Sequence, residues 1–398
     1  MKNNVFKFCS VLLLTIMINA CHAQMEVDDN FDFAQKQTSF MLTELKDYLY
    51  NPRTINDDGS LKSVTYKDWT CGFFPGCLWY IYEYTGNESW KKEAEKYTEY
   101  VFPAQYDSST HDVGFKVYCS AGNGYRLTHN ENYKKVLLQS AASLCSRFNP
   151  KVGCIRSWDH HKEQWQFPVI IDNMMNLELL FWAAKESGDS SYYNIAVSHA
   201  DKTMENHYRP DYSCYHVVGY DTTTGEAINH NTHQGYADES AWTRGQAWGL
   251  YGFTVCYRET NDNKYLNQAE HIAEYILDHK NYPDDSVVYW DFDAPDIKNQ
   301  ERDASAAAVM CSALYELSTY LPEKQVKYKA AADKILNSLS SRKYRAEVGE
   351  NDGFLLMHSV GSKPGNSEID VPLIYADYYF LEANLRKMNL DKGAQENK

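Results

Sequence analysis

The chain is poor in what most metal, redox and nucleotide chemistry requires. Its ten cysteines include no CxxC pair and no Cys/His couple at ligand spacing, which argues against zinc. There is no glycine-rich phosphate loop, no GxSxG elbow and no Cys/His nucleophile pattern. After the leader, no apolar run approaches the about 20 residues that span a bilayer. Positive charge is also short: 39 Lys and Arg against 54 Asp and Glu leave a net −15. Such a surface disfavours nucleic acid and anionic membranes, though not a small anion in a locally basic pocket. No stretch rich in Pro, Ser or Gly divides the chain, so residues 24–398 read as one domain.

The first residues read as an export signal. Lys2 and Lys7 precede an apolar stretch from Val11 to Ile18, and Cys21-His22-Ala23 offers a small-residue cleavage site before Gln24. Residues 1–23 are therefore expected to be removed and the protein to be exported, periplasmic and soluble. Ile18-Asn19-Ala20-Cys21 also resembles a lipobox, although Asn19 is unusual in that motif. The alternative is a signal of residues 1–20 and an outer-membrane lipoprotein anchored at Cys21.

Aromatic residues are abundant, with 32 Tyr and 9 Trp, and they recur in a pattern. A helix rich in rings ends in a small polar turn, and the next helix starts with an aromatic four residues before an Ala or Leu. The copies run through Trp79 to Trp90/Ala94, Tyr125 to Tyr133/Leu137, and Trp182 to Tyr192/Ala196. Two more run through Tyr251 to Tyr265/Ala269 and Tyr315 to Tyr328/Ala332. Residues four apart share a helix face, so each pair packs on its neighbour. Stacked repeats of this kind form a solenoid or a closed ring. Helices expected near 31–50 and 372–387 supply a sixth pair and favour closure, which predicts an all-α (α/α)6 barrel. Long insertions at 150–167, 210–237, 282–302 and 347–370 are expected to be loops on one face, where sites are commonly built.

Five stretches could carry chemistry. Asp172 follows Val169-Ile170-Ile171 at a helix start, and alone it reads as an N-cap. Burial there would instead raise its pKa toward that of a usable acid. His111-Asp112 opens another helix, either as a surface residue and a cap or as a second carboxylate beside Asp172. Trp69 in WTCGFFPG is either part of a hydrophobic staple or a platform for a sugar. Arg244 and Trp248, four apart, are either a salt-bridged Arg beside a core Trp or a carboxylate fork beside a stacking ring. The polar stretch from His358 to Asp370 reads as a solvated loop or a lid. His160-His161 lacks a third metal ligand at fitting spacing, and Asp291/Asp293 resembles a calcium loop only in having two aspartates. No metal and no cofactor is expected.

Together these stretches are familiar. WTCGFFPG (69–76), HDVGF (111–115), IDNMMNLELLFWAA (171–184), THQGYADESAWTRGQAWGLYGF (232–253), RDASAAA (302–308) and NSEIDVPLIYADYYFLEA (366–383) resemble the unsaturated glucuronyl hydrolases, glycoside hydrolase family 88. The resemblance implies an (α/α)6 barrel that removes a 4,5-unsaturated uronic acid from the non-reducing end of lyase-generated, glycosaminoglycan-type oligosaccharides. It implies hydration of a vinyl ether, with Asp172 as acid and then base and Asp112 as the second essential carboxylate. It further implies His111, His216, Gln234 and Arg244 around the uronate, with Arg244 on its carboxylate, and Trp69, Trp158 and Trp248 as stacking walls. Some members bind sulfated sugars through S-x-x-S-x-K. Here Ser359 and Ser362 fit, but Pro364 occupies the Lys place and Lys363 comes one residue early. A pectin-directed unsaturated rhamnogalacturonyl hydrolase, a non-catalytic sugar-binding barrel and an inverting glycosidase remain the alternatives.

Overall fold

The turns set the architecture. In the computed structural model, which describes residues 25–45 and 47–396, four helix pairs are joined by the same two-residue device. A left-handed residue closes one helix, and an Asn or Asp caps the next by accepting a backbone N–H two residues on. Gly86-Asn87 joins α2 (Phe73–Thr85) to α3 (Glu88–Val101). His129-Asn130 joins α4 (Asn123–Thr128) to α5 (Glu131–Cys145). Gly188-Asp189 joins α6 (Leu177–Ser187) to α7 (Ser190–Asn206). Asn261-Asp262 joins α8 (Thr243–Thr260) to α9 (Asn263–Leu277). The link between α10 (Ala304–Ser318) and α11 (Gln325–Leu339) lacks this device. The aromatics that open the second helices are buried at Trp90, Tyr133, Tyr265 and Tyr328 and half-buried at Tyr192. Burying each such ring contributes about 2 kcal/mol.

The ring closes as expected. α2, α4, α6, α8, α10 and α12 (Ile374–Glu396) follow one another around an inner circle, and α12 packs on both α10 and α2. α3, α5, α7, α9 and α11 back their partners. Helix α1, residues 25–44, covers α12: Asn30 Nδ2 donates to Asn384 Oδ1 at 2.9 Å, between buried side chains. The fold is an (α/α)6 barrel. The first helix departs from the expected 31–50: it spans residues 25–44, and strand β1 (Asn51–Ile55), which pairs with β2 (Leu61–Val64), follows. Pro52 disfavours helical backbone at Asn51, which suits the start of the strand.

The insertions are not plain loops. They hold short antiparallel sheets: β3 (Phe148–Asn149) with β4 (Cys154–Ile155), then β5 (Pro168–Ile170), β6 (Val217–Tyr220) and β7 (Ala227–Asn231) in one sheet. The stretch read as a polar loop is the hairpin β8 (Ser359–Ser362) and β9 (Ser367–Val371). All four insertions precede inner helices, so they gather over the helix N-termini. The eight cysteines from Cys71 to Cys311 are unpaired. No described helix is long and apolar enough to cross a membrane. The leader, with Cys21, lies outside the described residues.

Close approach matters most at Gly72, where a Cβ would stand 2.2 Å from the backbone oxygens of both Phe115 and Lys116. Neither oxygen can move without disturbing the π-helical turns of Gly114–Gly122 that lead into α4. Gly72→Ala is therefore expected to cost about 3 kcal/mol. Urea denaturation should show a lower midpoint at an unchanged slope.

Candidate active site

Strand register builds the site. β5 pairs with β6 so that Ile170 faces Val217, and Ile171 N donates to His216 O at 3.1 Å. This brings the residues after β5 and before β6 side by side. Asp172 Oδ2 lies 3.6 Å from His216 Nε2. Asp172 does not cap its helix. Ile170 holds the cap position, and Asp172 is the second residue of a 3-10 turn, Ile171–Asn176, that runs into α6. Arg244 is likewise the second residue of α8. Asp112 stands two residues before the π-helical turns of Gly114–Gly122.

The proton positions on His216 follow from its partners. His216 Nδ1 faces the backbone N–H groups of His233 and Gln234, each at 3.1 Å, so it must accept. The proton then sits on Nε2, directed at Asp172. Burial holds this imidazole well below its usual pKa, with His233 and Arg244 adding to the effect. His216 is thus a neutral donor. Asp112 is held from two sides: Thr110 Oγ1 donates to Oδ2, and His111 Nε2 stands 3.2 Å from Oδ1.

Asp172 is pushed up to about 7. Loss of water is the largest cause; the Arg244 charge opposes it, the Asp112 charge adds to it, and the Asp172 N–H and the Trp248 indole oppose it weakly. Its side chain keeps only 14% exposure. A raised carboxyl alone does not mark a site, since burial also pushes Asp377 up to about 8. Both Asp377 oxygens, however, are taken by the N–H groups of Leu355 and Leu356, at 2.9 Å each. Asp172 Oδ2 has no hydrogen-bond partner, and neither do His216 Nε2, His111 Nδ1, Trp158 Nε1 and Trp248 Nε1, all buried. Buried polar atoms in proteins are nearly always paired, so the free oxygen of Asp172 and the His216 Nε2 that faces it mark where a ligand would supply bonds. They adjoin a cleft of about 550 Å³ lined by Trp69, His111, Asp112, Trp158, Asp172, Gln234, Arg244 and Ser362.

The sequence and the fold have known counterparts. Residues 46–393 match the model of Glycosyl Hydrolase Family 88. The chain belongs to glycosyl hydrolase family 88. It is a glycoside hydrolase. An unsaturated glucuronyl hydrolase of Formosa agariphila is 51% identical over 328 residues, 82% of each chain. The crystal structure of an unsaturated glucuronyl hydrolase specific for heparin superposes with a TM-score of 0.90 at 49% identity, over 92% of this chain and 98% of that one. A mutant of the Streptococcus agalactiae enzyme complexed with dGlcA-GalNAc6S superposes with a TM-score of 0.78 at 31% identity, over 91% of each chain.

Within this family 88 barrel, not every residue singled out from sequence reaches the cleft. Trp248 is fully buried among Phe115 and Tyr379, so its ring cannot stack on a sugar; only its N–H comes near Asp172. Ser359 is buried where its Oγ accepts the Ser305 N–H at the start of α10. Lys363 is drawn away by Glu301 and Gln300. Arg244 does line the cleft, but its fork is occupied: Nη1 donates to Asp303 at 2.8 Å and to Val360 O, and Nη2 to Gly361 O at 2.6 Å. Gln234 Nε2 donates to the same Gly361 oxygen at 2.9 Å. Arg244 and Gln234 therefore clamp β8 over the cleft.

Sequence reading missed Asp303 and Trp242. Asp303 looks like an ordinary cap before an alanine run, and it does cap α10, accepting from Ser305 and Ala306 N–H. Trp242 supports both His216, at 4.5 Å between rings, and Arg244, whose guanidinium lies 4.6 Å over the indole. Its place just before Arg244 in AWTRGQ was the available signal.

Proposed function

We propose that this hydrolase hydrates the C4=C5 bond of a 4,5-unsaturated uronic acid at the non-reducing end of an oligosaccharide. The observation that carries the reading is Asp172, a carboxyl pushed up to about 7 at the floor of a sugar-sized cleft, with one oxygen unpartnered. A carboxyl with that pKa is half-protonated near neutrality, the condition for one group to serve as acid and then base. Asp172 donates its proton to C4, and the double-bond electrons form the new C4–H bond. Positive charge develops on C5 and the ring oxygen. The Asp172 carboxylate then takes a proton from water, whose oxygen bonds to C5. The hemiketal opens to a C5 ketone, and the C1 hemiacetal left behind releases the remaining sugar. Asp112 anchors the uronate hydroxyls and the water, and the neutral His216 donates into the same space.

The names of the relatives support a glycosaminoglycan-type substrate, an unsaturated uronate joined to a hexosamine. The assay is loss of the ultraviolet band of the C4=C5 bond on lyase-made disaccharides. Because Asp172 must enter protonated, kcat/KM should fall about tenfold for each pH unit above about 7. A profile that rises with pH through this region would exclude Asp172 as the acid. Turnover of saturated glycosides alone would instead favour an inverting glycosidase. Export rests on the leader motif: the mature protein should begin at Gln24. Palmitate labelling lost in Cys21→Ala would favour the lipoprotein alternative.

A further inference from the structure

Three imidazoles at the cleft edge have no part in this mechanism. His160 stacks parallel on Trp158 at 5.0 Å between ring centres, and His233 meets the same indole at 5.5 Å. His161 touches both imidazoles, at 4.7 and 5.6 Å, and meets Trp165 edge-on at 6.0 Å. All three are exposed, while both indoles are buried. Their positions are built. His161 takes a left-handed backbone, φ 54°, and its carbonyl accepts the N–H groups of Gln164 and Trp165. Trp165 Nε1 donates to Asn231 Oδ1 at 3.1 Å, which ties this insertion to β7 and the loop carrying His233. Two insertions thus converge to present one cluster. Among the described residues, no group of three His, Cys, Asp or Glu could hold a metal.

The charges around the cluster favour an anion. Asp159 is held by Arg147 at 3.0 Å and Arg156 at 2.7 Å. On the cleft wall, Asp107 is held by Lys116 and Asp68 by Arg53. Lys67 lines the same cleft, and its ammonium has no partner among the described residues. Glu163 lies 3.4 Å from His161 and also faces His160. His160 thus faces His161, Asp159 and Glu163, and His233 faces His160, His161 and His216.

We propose that His160, His161 and His233 form a subsite for a sulfate group on the sugar that follows the uronate. The inference rests on the reading of the cleft as a site for unsaturated uronides. It fits the loss of the serine–lysine route, because Ser359 is buried and Lys363 is paired with Glu301. A neutral imidazole offers one N–H donor; an imidazolium offers two and a charge. Contact with the indoles strips water from part of His160 and His233 and, with the neighbouring imidazoles, holds both below the usual histidine range. His160 and His233 are therefore uncharged at neutrality and gain charge as pH falls or as sulfate binds.

The test uses unsaturated disaccharides matched except for sulfate on the hexosamine. The ratio of their kcat/KM values cancels the titration of Asp172, which both substrates share. In the wild type, the ratio of sulfated to unsulfated should rise about tenfold from about pH 7.5 to about pH 5.5, as charge-assisted bonds form. In His160→Gln/His233→Gln it should stay flat, and His161→Gln should flatten it in part. A ratio independent of pH in the wild type overturns the subsite, as does an unchanged rise in the double variant. Turnover of the unsulfated sugar alone at every pH also overturns it, while leaving the reading of the cleft intact. If neither disaccharide is turned over, the reading of the cleft falls instead.

Discussion

Asp172→Asn should lower kcat by about 10⁴-fold on any unsaturated uronide, the upper end for loss of one acid–base group, because one carboxyl serves both proton transfers. KM should change little, since the amide keeps the size of the carboxyl. The same variant should be more stable than the wild type above neutral pH. The native state holds the Asp172 proton up to about pH 7, whereas the unfolded chain releases it near pH 3.8. Stability contributed by that proton is present below about pH 4 and is lost as pH rises toward 7. The loss approaches about 4 kcal/mol above pH 7, and the amide escapes it. Thermal melts at pH 5 and pH 8 should show the variant gaining on the wild type by clearly more at the higher pH. Undiminished turnover, or equal gains at both pH values, would reject this account of Asp172.

Asp303→Ala should destabilise the fold by about 4 kcal/mol, because it strands the Arg244 charge. Asp303 is fully buried and the Arg244 side chain is 2% exposed. Deleting the carboxylate also removes the cap of α10, which costs about 1 kcal/mol more. Urea denaturation measures the loss, and a shift below about 1 kcal/mol would refute it. Arg244→Met in the same chain should restore part of the stability, since the stranded charge is gone, but not the activity. Without Arg244, Gln234 Nε2 keeps its bond to Gly361 O, but the two guanidinium bonds that hold Val360 and Gly361 over the cleft are lost.

These effects differ in how far they could be read beforehand. Asp172 was legible because its neighbours are apolar and a helix follows, a setting in which a carboxyl must lose water. Asp112 was legible as a second carboxylate at a helix start. Asp303 was not, because a cap and a buried counter-charge look alike in sequence, and here one residue is both. Trp248 misled because helix spacing places it on the Arg244 face without saying how deep that face lies. Its i−4 partner reaches the cleft, and the indole itself sits in the core. Lys363 misled because its strongest partner, Glu301, comes from a different insertion.

The helices, their turns and the closed ring were determined by local sequence, since an αL residue followed by Asn or Asp, and aromatics four residues from Ala or Leu, act within a few residues of chain. The family and the two carboxylates were also present in short motifs. Tertiary structure alone decided the tautomer of His216, the counter-charge and backbone oxygens that occupy Arg244, and the gathering of three histidines at the cleft edge. Each of these depends on strand register and on insertions far apart in the chain meeting over one pocket. Burial and counter-charge belong to that meeting, not to the residue type.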